Sequence, residues 1–264
     1  IVVVFRRIRA PVRTIISYFT QAGVPGSCQR GERLSGTPLV RGLRAVLQLE
    51  QSNWEFDSLM SLLHSSYFRP DWPEIDLPAS IASVSATLRM LKLSGDRQGI
   101  LDVIRIVCER DAESDAANRS PRENEAAQGR GQAAQLLGRR SGALQPLRES
   151  HTLEGWAKTL LAVARELGMA YDAMSTLELQ RDDVAPDPLN LRDLDLRDTE
   201  SWTLIERILF DAARLDQGWS THQRQLSLSS FRRELDELLG GTSLSPARNS
   251  AGCVRILEAA QARN

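Results

Sequence analysis

Arginine dominates the side chains able to do chemistry in this sequence: of 33 basic residues only Lys92 and Lys158 are lysine. The guanidinium fork pairs with phosphate and carboxylate at two points at once. Arg6, Arg7, Arg9, Arg13, Arg30, Arg33, Arg41 and Arg44 fall within residues 1–50, opposed there only by Glu32 and Glu50. The whole chain carries a formal net charge of −1, so the stretch beyond this basic segment is acidic. Such an arrangement suits a polyanion partner. Plain solvated arginines, a product of genome composition, give the same count, and both readings stay open at this level.

Other chemistries are absent from the sequence pattern. Cys28, Cys108 and Cys253 are odd in number and far apart, which gives neither a disulfide framework nor a paired-cysteine metal or redox site; a reducing, cytoplasmic setting is expected. His64, His151 and His222 are equally scattered, with no zinc-binding spacing and no metal site expected. No glycine is followed by lysine, so the phosphate-cradling GxxxxGK[ST] loop is missing. A restriction-type nuclease needs an acidic residue two before a lysine, but Met90 and Trp156 stand at those places. Asp193-Leu194-Asp195-Leu196-Arg197-Asp198 lacks the turn glycine and closing glutamate of a calcium loop. No nucleophile elbow is present. By itself the chain is expected to have no catalytic set.

The elements that must position these arginines are mostly helical. At 264 residues and 42% hydrophobic, the chain can build a substantial core, and its apolar runs are too short for a membrane span. Ile1-Val2-Val3-Val4-Phe5 reads as a buried strand, and Pro11 opens a helix with Val12, Ile15, Ile16 and Phe19 on one face, closed by Gly23 and Pro25. A short strand is expected near Val24–Cys28. Thr37-Pro38 caps a helix that buries Leu39, Val40, Leu43, Val46 and Leu47. Helices are expected over Trp54–Ser65, 79–93 and 98–110, with an aromatic, proline-punctuated turn at Tyr67–Pro73. Residues 111–150, poor in large apolar groups, read as loop or loosely held helix. Thr152 caps a helix through Leu167. Residues 182–198 read as an acidic, proline-broken linker, with Thr199 and Ser230 capping the last two helices. Val254-Arg255-Ile256-Leu257 reads as a second buried strand. Because Ile1 is not Met and both ends carry core-strand patterns, the chain is expected to be a piece of a longer protein.

The two ends carry a resemblance. Ile1-Val2-Val3-Val4-Phe5-Arg6, followed by a helix ending in Gln21-Ala22-Gly23-Val24-Pro25, resembles motif IV of UvrD-like superfamily 1 DNA helicases. Val254-Arg255-Ile256-Leu257-Glu258-Ala259-Ala260-Gln261-Ala262-Arg263-Asn264 is similar to the start of motif V, with Ala260 where the family usually has His and Asn264 where it has Gly. Leu34-Ser35-Gly36-Thr37-Pro38-Leu39-Val40, and Trp54-Glu55-Phe56-Asp57-Ser58-Leu59 through to Tyr67-Phe68, look like the B subunit of AddAB-type helicase–exonucleases. The resemblance covers both ends and the first 72 residues, and the remainder by helical character alone.

The resemblance implies a mainly α chain: a helical 2B-like insertion over residues 51–247, flanked by a small α/β remnant of a RecA-like 2A lobe at 1–50 and 248–264. The two ends would then be neighbouring strands of one sheet. It implies a part in DNA end processing and repair, with DNA and an AddA-like helicase–nuclease subunit as partners, no membrane, and ATP and Mg2+ acting in the parent protein, not on this stretch alone. Arg6 matches the motif IV arginine that reaches the γ-phosphate from the second lobe. Arg263 matches the basic residue of motif V, and Arg7, Arg139 and Arg140 are further DNA-binding candidates. Base stacking by Trp54, Tyr67, Phe68 and Trp72 competes with core or turn packing, the reading the spacing favours. The rival to the whole assignment is a non-catalytic helical scaffold that binds another protein.

Overall fold

The computed structural model describes residues 2–5, 15, 18, 26–28, 33–114, 120–169, 190–219, 224–244 and 254–258. It is mainly helical. Its elements in chain order are β1 (Val2–Phe5), β2 (Gly26–Cys28), a 3₁₀ turn (Leu34–Gly36), α1 (Pro38–Gln51), α2 (Phe56–Leu63), α3 (Leu77–Met90), α4 (Arg97–Glu113) and α5 (Pro121–Leu144). After a second 3₁₀ turn (Gln145–Arg148) come α6 (Leu153–Glu166), α7 (Asn190–Trp219), α8 (Leu228–Gly240) and β3 (Val254–Glu258). The helix expected after Pro11 lies outside the described residues, except that Ile15 and Tyr18 are helical.

The chain divides into two compact units. The first joins residues 1–37 to 239–264. Its strands form a parallel sheet in the order β1-β3-β2, with Val3 opposite Ile256 on one side of β3 and Cys28 opposite Ile256 on the other. Parallel strands cannot be joined by a tight turn and require a long crossover; between β2 and β3 that connection contains the whole second unit. Leu34 N–H donates to Thr242 O at 2.9 Å, and Arg33 bridges Ser243 in antiparallel fashion.

The described residues of the second unit, 38–238, form helices and turns with one isolated antiparallel bridge between His151 and Leu226. Pro38 begins α1 at the position where a missing N–H is harmless. The helix buries Leu39, Val40, Leu43, Val46 and Leu47, as the sequence spacing predicts, and Leu49 as well. Helix α6 starts at Thr152, whose Oγ1 accepts from Gly155 N at 3.1 Å. Its Trp156 stacks on Phe231 of α8 with ring centroids 4.8 Å apart, and the indole N–H donates to Leu226 O at 2.8 Å.

Three expectations need correction. Residues 120–148 are not loosely held. Ser120 and Glu123 form a capping box, and α5 then runs 24 residues with Ala133, Leu136, Leu137, Arg140 and Leu144 buried. Small residues let it lie close to α3, where a Cβ added at Gly129 would be 3.6 Å from Ser83 Oγ, so few large apolar groups are required. Residues 190–198 belong to α7: beyond Pro188 nothing in the sequence breaks a helix, and Thr199 sits inside, its carbonyl accepting from Thr203 Oγ1 at 2.9 Å. Ser227, not Ser230, caps α8, through Ser230 N–H to Ser227 Oγ at 3.3 Å. The buried stripe of α8 is accordingly Phe231, Leu235 and Leu239.

Candidate functional site

In open parallel sheets, ligands sit beyond the carboxyl ends of the strands. All three strands of the first unit run the same way, so Phe5, Cys28 and Glu258 close them at one edge. Arg6 and Arg7 follow Phe5 directly in the chain and Arg263 follows Glu258 by five residues. These three candidates lie outside the described residues.

The other two candidates are in the second unit, and neither is a bare surface cation. Arg139 reaches the end of α6 and the turn ahead of α3: its Nη2 is 2.8 Å from Glu166 Oε1, its Nε 3.7 Å from Glu74 Oε1, and its guanidinium lies 5.5 Å from the Trp72 ring centre. Arg140 is wholly buried. Its guanidinium lies 5.4 Å from the centre of Trp54 and 5.7 Å from that of Phe68. The expectation of a phosphate contact from Arg140 is therefore corrected for this conformation, because no atom of the side chain reaches solvent. The aromatic candidates are likewise engaged: Trp54, Phe68 and Trp72 are buried packing groups, and Tyr67 donates its hydroxyl to Asp198 at 2.8 Å.

Together these side chains form a continuous series of cations and rings. Arg97 lies 5.4 Å from the Trp54 ring centre, Arg140 stands between Trp54 and Phe68, Phe68 meets Trp72 edge-on at 6.0 Å, and Arg139 covers Trp72. Stacked pairs of this kind contribute roughly 0.5–2 kcal/mol each, the upper end where they are desolvated. Glu50 sits at one end, with Oε1 accepting from the Trp54 indole at 2.6 Å and Oε2 lying 3.8 Å from Arg97 Nη1. Burial pushes the Arg97 pKa down against the opposing pull of Glu50, and Arg148 nearby pushes it further down.

The turn that presents Trp54 is strained. Asn53 and Trp54 have φ of 50° and 63°, and Asp96 in the facing turn has 70°, a region that bulky residues rarely adopt. The conformation is held by Trp54 N–H to Leu49 O at 3.0 Å and by Asp96 N–H to Asn53 O at 3.0 Å. The first is the i to i−5 bond of a Schellman helix end, usually built with glycine. Strain persists where surrounding contacts over-determine it, and here the indole's hydrogen bond and its two guanidinium neighbours do so.

Glu50 and Arg97 escape sequence reasoning. Positions 50, 54, 97 and 140 share no periodicity, and only the packing of α1, α4 and α5 assembles them. Elsewhere in this unit, many arginines engage nearby carboxylates: Arg44 with Asp236 at 2.6 Å, Arg130 with Asp111 at 2.6 Å, Arg105 with Glu109 at 3.0 Å, and Arg165 with Glu206. A cleft beside α8 is lined by Gln51, Ser229, Arg232, Arg233, Asp236 and Glu237, with two charges of each sign.

Among the described residues no cluster of three His, Cys, Asp or Glu could hold a metal ion. Among the described residues, no helix is long and apolar enough to cross a membrane.

No family model matches this chain, and no curated protein matches it in sequence.

Proposed function

We propose that this chain is a segment of an AddB/UvrD-like DNA helicase–nuclease subunit acting in DNA end processing in the cytoplasm. The segment would supply part of a RecA-like second lobe and a 2B-like helical insertion, with DNA and an AddA-like subunit as partners. The observation that carries the reading is the parallel pairing of Val3 with Ile256: the two stretches that resemble motifs IV and V are adjacent strands, and a helical unit occupies the chain between them. In this reading Arg6 and Arg7, next after β1, and Arg263, beyond β3, supply positive charge at the sheet's carboxyl edge, while Arg139 and Arg140 stabilise the insertion. Any ATP and Mg2+ would be held by parts of the parent outside this stretch.

The test is DNA binding by fluorescence anisotropy across a salt series, for the chain and for Arg6→Glu and Arg7→Glu. Affinity should fall as salt rises, by about 0.7–0.9 in log K per log salt for each phosphate contacted, and each variant should bind more weakly with a shallower slope. Binding that is absent or indifferent to salt overturns the reading. The parent reading frame should in addition encode a P-loop-like region before this segment and an (Asp/Glu)-x-Lys nuclease after it.

A protein-binding scaffold is the second reading, and the internal use of Arg139 and Arg140 favours it. It predicts no salt-sensitive DNA affinity.

A further inference from the structure

Arg97 and Arg140 bring into the interior a positive charge that their neighbours do not balance. Arg140 has no exposed surface, and its Nε, Nη1 and Nη2 all lack a hydrogen-bond acceptor among the described residues. Arg97 is 3% exposed. Its Nη2 donates to Ser141 O and Oγ, each at 2.7 Å, and to Gln145 Oε1 at 3.2 Å, whereas Nε and Nη1 lack acceptors among the described residues. The carboxylate beside them is Glu50, engaged by the Trp54 indole and beyond hydrogen-bond distance of Arg97. Trp54 and Phe68 attract the guanidinium of Arg140 with their ring faces but offer no lone pairs to its in-plane N–H groups.

Among the described residues, the two buried guanidiniums face one buried carboxylate, which leaves one positive charge uncompensated. Deprotonation does not relieve it. Burial draws the Arg140 pKa down to about 9, opposed by Glu50, which still leaves the group charged at pH 7. A buried charge without partners is strongly disfavoured. Water would supply lone pairs but no charge.

We propose that the wholly buried Arg140 guanidinium beside Trp54 binds one small inorganic anion, of which chloride is the type, accepting from its in-plane N–H groups. With Glu50 it brings the cluster to neutrality. Arg140 has no exposed surface, which favours a monatomic ion over a polyatomic oxyanion. This site is independent of the DNA-binding reading.

The experiment is thermal melting of the full chain at pH 7 in sodium chloride, bromide or gluconate at equal ionic strength. Chloride and bromide should raise Tm over gluconate by about 2–4 °C. Arg140→Met, which removes the excess charge at similar volume, should lose the halide effect and melt above the unsubstituted chain in gluconate. No halide-specific rise in the unsubstituted chain, or an equal rise in Arg140→Met, overturns the proposal. Should Arg140→Met fail to fold, crystals of the unsubstituted chain soaked in bromide decide the matter. An anomalous peak against the Arg140 guanidinium supports the site; ordered water only, or no peak, overturns it.

Discussion

Val3 in β1 and Ile256 in β3 face one another in parallel register although almost the whole chain separates them, and Cys28 of β2 meets the same Ile256 from the other side. The strand last in sequence is therefore the middle strand of the sheet. Proline is tolerated at sheet edges but not in a central strand, where it removes a ladder hydrogen bond and crowds its neighbour. Ile256→Pro should uncouple the sheet, leaving one ladder acceptor without its donor, at a cost of up to about 1–3 kcal/mol. Limited proteolysis should then cut within residues 1–37 faster than in the unsubstituted chain. The far-ultraviolet helical signal should change little, because the described helices lie almost wholly in the other unit. An unchanged cleavage pattern would count against the pairing.

Trp54 is the busiest side chain of the helical unit, wholly buried, donating to Glu50 and flanked by Arg97 and Arg140. Trp54→Ala removes a large buried ring, leaving Arg97 without its aromatic neighbour and Arg140 with Phe68 alone. A loss of about 3–5 kcal/mol is expected from the cavity alone, read as the shift in a urea unfolding midpoint. Trp54→Phe keeps the ring but orphans the Glu50 carboxylate, and should fall between the two. A loss below about 1 kcal/mol for the alanine variant would show that the cation–ring series is incidental to stability.

The legible parts of this fold are those written in local periodicity. The apolar runs around Val3 and Ile256 become strands, the expected short strand near Cys28 forms as β2, and the Thr37-Pro38 and Thr152 signals open α1 and α6. Local pattern fails where packing replaces bulk. Helix α5 buries its face with Ala133, Leu136 and Leu137 and lets glycine approach α3, so a composition that reads as loose is ordered. Arg139 and Arg140 show the same limit. As adjacent basic residues they look like a surface pair, but successive side chains on a helix diverge by about 100°. One therefore pairs with Glu166 near the surface while the other enters the core beside Trp54.

Cys108 should be a sluggish thiol. Burial pushes its pKa up, Asp111 pushes it further, and Arg130 opposes them weakly. The nucleophile is the thiolate, so at a fixed pH the reactive fraction is smaller than in a free cysteine, and alkylation should accelerate only at a higher pH. Asp111 is also held by Arg130, with Nε and Nη2 donating at 2.6 and 2.9 Å. Asp111→Asn removes one of the two influences raising the pKa and leaves the Arg130 cation beside the sulfur. Its iodoacetamide rate profile should move to lower pH, measured in a chain carrying Cys28→Ser and Cys253→Ser. A profile moving to higher pH, or not at all, would contradict this account of the thiol.

Two glycines should respond oppositely to alanine. Gly168 follows α6 with φ of 71°, and a Cβ built there would fall on the Arg69 carbonyl. That same stretch of backbone is tied to the helix end by Arg69 N–H donating to Leu167 O at 3.1 Å. Alanine must therefore adopt an unfavourable left-handed conformation and also push the 65–73 turn away, carrying Phe68 and Trp72 with it. A loss above about 2 kcal/mol is expected, from backbone strain of about 1–3 kcal/mol together with the steric conflict. Gly138 lies within α5, and a Cβ there meets nothing within 4 Å. Alanine at that position gains the full helix preference over glycine, about 0.8–1 kcal/mol, with no contact to disturb. Urea midpoints of the two variants should therefore move in opposite directions from the unsubstituted chain. A stabilising Gly168→Ala would mean that the Arg69 backbone does not lie against the end of α6.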